Sequence, residues 1–188
     1  MIKILLSVVV ALLMLGCGNA KLSPSKKTSE PAKAKVKIKD VKKVTMKTAK
    51  KRMFQTVDTL DAVLVQDGKN HSSCAICGMN LVMFYKTSHI AVLDGKPIQY
   101  CSIHCLADHI QEGAELENPK VIDSVSLKPI SVVEAYYVVG SKVHGTMSRV
   151  SKYAFASLDD AKKFQSQYGG KIMDFKAALE VAKEDFAR

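Results

Sequence analysis

The sequence predicts an α+β fold of two tandem small ββα-type units, within a folded region that covers residues 53–188. Three observations support this prediction. Strand-like runs occur in pairs, a helical pattern follows each pair, and the strand-to-helix junctions of the two halves are similar. Unit one covers about residues 70–116 and carries a Cys-x2-Cys/Cys-x3-Cys knuckle, and unit two covers about 130–188. The region has the ordinary length of one domain.

The first unit opens with apolar, β-branched and aromatic runs at 81–86 and 90–93, which predict two strands. The Asp94-Gly95 pair predicts a turn, and a short strand at 98–100 follows it. Apolar residues then recur at helical spacing after Ser102, which is a suitable N-cap. Gly113 ends this helix.

The second unit repeats this plan. A β-branched and aromatic run predicts a strand at 134–139, and Ser157 is a good N-cap for a helix that Gly169-Gly170 ends. The other predicted elements are a strand at 152–155, a short strand at 172–173 and a last amphipathic helix at 175–186.

The segments "YCSIHCLADHI" and "FASLDDAKKFQ" occupy the same strand-to-helix junction in the two units. The first junction carries Cys101 and Cys105, where the second carries Ala156 and Asp160. The repeat is faint, and chance similarity is the alternative. If the repeat is genuine, one copy holds the cysteines and the other lacks them.

Residues 1–16 are predicted to be a lipoprotein signal peptide. An apolar run follows Lys3, and it is too short to span a bilayer comfortably. The run ends in Leu15-Gly16-Cys17, which resembles a bacterial lipobox. We therefore expect a mature chain that begins at a lipidated Cys17, is anchored to a bacterial membrane and faces the periplasm. A short uncleaved anchor helix is the alternative, and the choice between inner and outer membrane stays open.

Residues 17–52 are predicted to form a disordered basic tether behind the lipid. Thirteen Lys and Arg residues stand against two acidic residues between Lys21 and Arg52. With Lys3, this stretch accounts for +12, so that residues 53–188 carry −2 of the net +10. A basic chain often binds nucleic acid. Here the basic charge lies beside the anchor, where it favours an anionic lipid surface, and we expect no nucleic-acid partner.

Four further cysteines, Cys74, Cys77, Cys101 and Cys105, form the candidate metal site. A tight knuckle would present the first two thiols, and one helical turn would present the other two on one face. We expect the helix N-terminus to lower the pKa of the second pair of thiols. Three interpretations stay open: two disulfides, a structural Zn(II) site, or a site for Cu(I) cargo.

Nearby methionine and histidine side chains favour the soft metal. Met79 follows the knuckle, His104 lies inside the second cysteine pair, and His71 and His89 flank the first. Thiolate, thioether and imidazole together suit copper better than oxygen-loving metals.

A second candidate pair, His144 and Met147, lies in the loop "SKVHGTMSR". Met147 stands in a polar, glycine-containing stretch where a core-filling methionine is not expected. We therefore treat Met147 as a possible thioether ligand, with His144 three residues before it.

Four segments resemble the NosL-type copper lipoproteins, which are accessory proteins of nitrous oxide reductase: "CAICGMNL", "FYKTSHIAVLDGKPIQYCSIHC", "AYYVVGSKVHGTMS" and "KYAFASLDDAKKFQSQYGGKI". The resemblance covers roughly residues 53–188 and the lipobox. The first half also resembles the YHS and TRASH metal-binding modules. The resemblance implies two similar α+β units and delivery of Cu(I) to the copper centres of nitrous oxide reductase in the periplasm.

The resemblance also maps family ligands onto this chain. The knuckle corresponds to Cys74, Cys77 and Met79, and the methionine of the second unit corresponds to Met147. The departure from the family is the Cys101/Cys105 pair, because many members lack so full a cysteine set. A structural zinc ion or a disulfide beside a separate copper site therefore stays an alternative.

The leading hypothesis is a membrane-anchored copper chaperone and not an enzyme, because the sequence has no Ser/His/Asp grouping, phosphate loop or paired carboxylates. Its expected partners are membrane lipid and, by resemblance, nitrous oxide reductase or its assembly machinery. One alternative is a thiol–disulfide redox protein that uses Cys74 and Cys77. That motif precedes a strand pair, whereas thioredoxin-like motifs precede a helix. Another alternative is a zinc-stapled interaction domain without cargo.

Overall fold

The computed structural model describes residues 52–186. The predicted signal peptide, Cys17 and the tether up to residue 51 lie outside the described residues. The helices and strands are β1 (His89–Leu93), β2 (Lys96–Tyr100), α1 (Ile103–Gln111), β3 (Glu117–Ile122), β4 (Pro129–Ser131), β5 (Tyr136–Val139), β6 (Lys152–Phe155), α2 (Leu158–Tyr168), β7 (Lys171–Met173) and α3 (Phe175–Phe186). Short 3-10 helices lie at Thr59–Asp61 and Tyr85–Thr87. Within 52–186, every helix is too short or too polar to span a bilayer.

Both halves have a ββαβ order in which the first strand is central. One antiparallel sheet has the strand order β2-β1-β3-β4, and the other has β6-β5-β7. The predicted α+β fold with two similar units is confirmed. The first unit has two strands beyond the predicted ββα plan, β3 and β4, and β3 returns after the helix to pair with β1. In the second unit, the predicted short strand at 172–173 lies in β7, which pairs with β5.

The β1–β2 hairpin positions the start of α1. Its two-residue turn is Asp94-Gly95, and both residues have positive φ, 50° and 73°. This conformation matches the twist of antiparallel strands, and glycine adopts it at little cost. The hairpin pairs His89 with Tyr100, so the chain leaves β2 directly into the residues that begin α1.

The strand predicted at 81–86 is wrong. The segment forms turns that lead into the 3-10 helix Tyr85–Thr87. Leu81 and Tyr85 are both fully buried, and four-residue spacing brings them to one side of a turn. The amide of Phe84 donates to the carbonyl of Asn80 (3.3 Å), which is the bond of a helical turn.

Strands β3 and β4 were missed by the sequence analysis. Asn118 and Pro119 lie inside β3, and both residue types are depleted in strands. Asn118 also has a φ of +48°. The strand forms because tertiary pairing with β1 and β4 outweighs these local preferences.

One hydrophobic core joins the two halves. Ile103 of α1, Tyr137 of β5, and Ala178 and Ala182 of α3 belong to the same buried cluster. The small alanines allow α3 to pack closely against α1. The first turn of α1 is therefore held by both halves of the fold, and this turn carries two of the candidate ligands.

Candidate metal site

A tight knuckle presents Cys74 and Cys77. The amide of Cys74 donates to the carbonyl of Met79 (2.8 Å), and the amide of Gly78 donates to the carbonyl of Cys74 (3.0 Å). Gly78 has a φ of +73°, a conformation that side-chain-bearing residues rarely adopt. The amide of Ala75 donates to Gln99 of β2 (3.1 Å), which fixes the knuckle beside the hairpin.

The beginning of α1 presents the other two thiols. Cys101 follows β2, Ser102 occupies the N-cap position, and Cys105 lies one turn further on. The Ser102 side chain makes no capping hydrogen bond, in contrast with Ser157, which accepts from the amide of Asp160 at the start of α2. Cys101 precedes the N-cap and Cys105 lies in the first turn of α1, and their sulfurs are 3.7 Å apart.

The four thiols converge. All four Sγ atoms lie within 4.8 Å of one another. The Cys77–Cys101 sulfur separation is 3.5 Å and the Cys101–Cys105 separation is 3.7 Å. Metal–sulfur bonds of about 2.3 Å in a tetrahedron place sulfurs about 3.8 Å apart. The cluster therefore has the size of a four-thiolate metal site.

All four cysteines are free thiols in this structure. Their sulfurs are well beyond the roughly 2.05 Å of a disulfide bond. Cys74, Cys101 and Cys105 are buried, and Cys77 is exposed. Cys77 is therefore the cysteine of the cluster that solvent reaches.

The buried thiols of the cluster differ in pKa, because they are hydrogen-bonded to one another and shielded from water. Hydrogen bonds to Cys101 and Cys105 hold the pKa of the Cys74 thiol far below its usual range. Hydrogen bonds with Cys105 and Cys74, together with burial, raise the pKa of the Cys101 thiol. These opposite shifts arise from the hydrogen bonds that the clustered thiols make with one another.

The expectation that the helix N-terminus lowers the pKa of the α1 thiols is not met. The hydrogen bond with Cys101 lowers the pKa of Cys105, but the bond with Cys74 and burial outweigh it, and the net pKa is raised. A bound cation would favour all four thiolates, because metal ligation requires the deprotonated form.

His104 points away from the thiols. Its ring is buried, and its Nε2 lies 3.0 Å from Lys152 Nζ and 3.4 Å from Asp185 Oδ2. Burial and the adjacent ammonium lower the pKa of His104 to about 4, so its neutral ring accepts from Lys152. Among the described residues, the four-thiol group contains no histidine.

Met79, His71 and His89, the other residues singled out near the knuckle, differ in their burial. Met79 is partly buried and packs against the apolar cluster that includes the buried cysteines. His71 is exposed, with its ring 3.2 Å from the carbonyl of Gly68. His89 is buried between Thr87 and Tyr137.

His144 and Met147 lie in an exposed loop between β5 and β6. The His144 carbonyl accepts from Gln55 and from Tyr153, each at 2.7 Å. Met147 is 46% exposed and has a φ of +60°. A non-glycine residue in this region is uncommon, and such strain is frequent in functional loops.

A hydrogen-bonded path connects this loop to the thiol site. Thr87 Oγ1 lies 2.8 Å from Thr146 Oγ1 and 2.8 Å from the carbonyl oxygen of Cys101. Thr146 directly precedes Met147. The "GTM" segment is therefore tied to the backbone that carries a candidate ligand.

Sequence reasoning missed the buried pair that supports α1. Lys152 Nζ and Asp185 Oδ2 lie 2.7 Å apart, and the Lys152 side chain is only 2% exposed. Asp185 also accepts from Ser148 (2.7 Å). The one indication in the sequence is a lysine within an apolar strand. Its partner is an aspartate 33 residues later, and no local pattern connects the two.

Comparisons with known proteins identify the family of this chain. The NosL family profile matches residues 64–182. The crystal structure of the copper chaperone NosL from Shewanella denitrificans is 25% identical, covering 59% of this chain and 93% of that chain, with a TM-score of 0.46. The solution structure of apo-NosL from Achromobacter cycloclastes is 24% identical, covering 47% and 82%, with a TM-score of 0.33. No curated protein matched the sequence. Because the family profile spans more than half of the sequence, this chain belongs to the NosL family.

Proposed function

We propose that this protein is a Cu(I) chaperone, anchored to a bacterial membrane and facing the periplasm, which delivers copper to nitrous oxide reductase. The observation that carries the proposal is the convergence of four free thiols within 4.8 Å. Thiolates are soft ligands and select soft ions such as Cu(I). Membership of the NosL family supports copper as the cargo, because the family resemblance implies copper delivery.

The exposure of Cys77 supports transfer as well as storage. A chaperone must hold its ion tightly and release it by ligand exchange, which requires that an acceptor ligand reach the metal. Cys74, Cys101 and Cys105 are buried, whereas Cys77 is exposed. An acceptor would displace Cys77 first and draw the ion out along that side. The acceptor's identity, nitrous oxide reductase or its assembly machinery, rests on the family resemblance.

Cys17 and the basic tether are the proposed means of membrane retention. One acyl anchor combined with a polybasic segment gives stable attachment to an anionic leaflet. The tether would then leave the metal-binding domain free to approach an acceptor.

Met147 is a proposed accessory ligand. Its side chain is exposed, and the neighbouring Thr146 is hydrogen-bonded through Thr87 to Cys101. A thioether in this loop would offer copper a weaker ligand than thiolate. His104 and Met79 are weaker candidates, because His104 is hydrogen-bonded to Lys152 and Met79 packs against an apolar cluster. His144 stays a candidate ligand.

Zinc is the second candidate ion. Sulfur separations of 3.5 and 3.7 Å and three buried thiols also describe a closed four-cysteine structural site. In that case the cysteines would hold the shape of the first unit, and copper would bind elsewhere.

The test is anaerobic Cu(I) titration against a chelator probe, using the full chain with Cys17→Ser. We expect one tightly held Cu(I) per chain. Structural Zn(II) sites with four ligands bind with about 10–16 kcal/mol, or about 3 kcal/mol per ligand. On the same scale, loss of one thiolate in Cys105→Ser should weaken Cu(I) binding by about 100-fold. Failure of the protein to compete with the probe would refute the proposal.

A matched methionine pair tests the accessory ligand. Met147 and Met83 are 46% and 45% exposed, so Met83→Ala controls for loss of an exposed thioether. We expect Met147→Ala to weaken Cu(I) binding and Met83→Ala to leave it unchanged. Equal effects of the two substitutions would remove Met147 from the site.

A further inference from the structure

The four thiols differ in their access to solvent. The side chains of Cys74, Cys101 and Cys105 are buried, with residue exposures of 3%, 0% and 2%, whereas Cys77 is exposed. A reagent dissolved in water therefore meets Cys77 before any other thiol of the cluster. Cys77 also belongs to the knuckle, whose apex at Gly78 has open space around its Cα.

Cys101 lies within reach of Cys77. Their sulfurs lie 3.5 Å apart, closer than the 3.7 Å between Cys101 and Cys105. A disulfide requires about 2.05 Å, so the sulfurs must approach by about 1.5 Å. The exposed Cys77 side chain can supply this movement by changing its rotamer. Cys101 and Cys105 are both buried at the start of α1 and have less freedom to approach each other.

We propose that Cys77 and Cys101 form a reversible disulfide when the site holds no metal, and that this bond disables metal binding. The class of oxidant is a small-molecule disulfide. The bond removes two of the four thiolates and leaves Cys74 and Cys105 as an incomplete ligand pair. The inference rests on the proposed function only for this consequence, since the cross-link itself follows from the positions of the thiols.

The reaction proceeds by two thiol–disulfide exchanges. The Cys77 thiolate attacks one sulfur of the oxidant R–S–S–R, which breaks the S–S bond and releases one R–S⁻. The Cys101 sulfur then attacks Cys77 Sγ in the mixed disulfide while its thiol proton passes to the released R–S⁻, and the second R–S⁻ leaves. The two protein thiols lose two electrons and two protons, and the oxidant becomes two R–SH. An added dithiol reverses the sequence.

A bound metal protects the pair. Metal–sulfur bonds occupy the thiolate lone pairs, and the exposed sulfur is then a poor nucleophile. Oxidation therefore acts on the empty protein. In an oxidising compartment, the disulfide would form in metal-free molecules and not in metal-loaded molecules. A metal-free molecule with the disulfide would need a reductant before it could bind another ion.

The experiment treats the metal-free full chain, carrying Cys17→Ser, with oxidised glutathione. We expect the count of free thiols to fall from the four of the cluster to two. Tandem mass spectrometry of the digest should place the link between Cys77 and Cys101. A link between Cys74 and Cys77 or between Cys101 and Cys105, or four unreacted thiols, would overturn the inference.

Two variants separate the steps. Cys101→Ser should stop at a mixed disulfide with one glutathione on Cys77, and Cys77→Ser should react at least tenfold more slowly than the parent. Cys105→Ser is the matched control, which should still form the cross-link. Rapid oxidation of the Cys77→Ser variant would contradict the assignment of Cys77 as the entry point.

Failure of this inference is distinguishable from failure of the proposed function. Cu(I) titration of the reduced protein tests copper binding without reference to the cross-link. If reduced protein binds Cu(I) and the oxidised protein binds it equally well, only the disabling role is wrong. If the cross-link forms but reduced protein binds no Cu(I), only the chaperone function is wrong.

Discussion

The burial of His89 makes this protein's stability depend on pH in a calculable way. The ring lies between the two halves of the fold, where Nδ1 is 3.0 Å from the Thr87 carbonyl and Nε2 is 3.1 Å from the Tyr137 hydroxyl. These contacts fit a neutral ring that donates through Nδ1 and accepts through Nε2. Burial lowers the pKa of His89 from 6.5 to about 4.

The sign of the effect follows from proton linkage. As pH falls below about 6.5, the unfolded chain binds a proton at this ring and the folded chain does not. Stability is therefore lost between about pH 7 and pH 4, and the loss stops once the folded ring also titrates. The pKa difference gives a loss of about 2 kcal/mol at pH 5 and about 3 kcal/mol at pH 4.

The assay is urea unfolding of the metal-free protein, with a chelator present, at several pH values from 8 to 4. We expect His89→Gln to lack this contribution, so that the stability difference between the parent and the variant shrinks by about 3 kcal/mol over the range. His104 is present in both proteins, and its repulsion of a protonated His89 is a small part of the His89 contribution. Parallel stability curves for the parent and the variant would refute the reasoning.

Three further substitutions probe the support of the site. Asp185→Asn should cost about 3 kcal/mol in urea unfolding, because it leaves the ammonium of Lys152 buried without its charged partner. Thr87→Val should cost about 2 kcal/mol, because the Cys101 carbonyl loses a buried hydrogen bond of 2.8 Å. Gly78→Ala should cost about 1 kcal/mol through its positive φ and should weaken Cu(I) binding.

Each substitution has a control within the chain. Glu180→Gln removes an ion pair with a half-exposed carboxylate and should cost less than about 1 kcal/mol. Thr56→Val removes an exposed hydrogen bond and should cost less than Thr87→Val. Gly68→Ala carries a similar backbone penalty at a φ of +83°, away from the thiols, and should leave metal binding unchanged. The structural assignments are wrong if Glu180→Gln costs as much as Asp185→Asn, or Thr56→Val as much as Thr87→Val. Equal weakening of Cu(I) binding by Gly68→Ala and Gly78→Ala would contradict the role of Gly78.

The two thiol pairs could be predicted from the sequence, whereas their meeting joins Cys77 to Cys101, 24 residues later, and depends on the whole fold. The first pair flanks a tight turn and the second lies at the start of one helix, so each pair is set by local geometry. The same rule separates His104 from Cys105, because adjacent helical residues are rotated by about 100°.

The missed features depend on contacts between distant residues. Strand β3 contains Asn118 and Pro119, and only its neighbours in the sheet make it a strand. The run at 81–86 is apolar, which suits a buried turn as well as a strand. The Lys152–Asp185 pair joins β6 to α3, and no local pattern marks two charges that meet only after the fold has formed.

The most direct test of the central claim is thiol protection by copper. Metal-free protein carrying Cys17→Ser is given one equivalent of Cu(I) under anaerobic conditions, and the cysteines are then challenged with an alkylating reagent. The account predicts that Cys74, Cys77, Cys101 and Cys105 all become unreactive with one Cu(I) bound per chain. Full alkylation of these thiols while Cu(I) stays bound would show that copper is held elsewhere and would contradict the account.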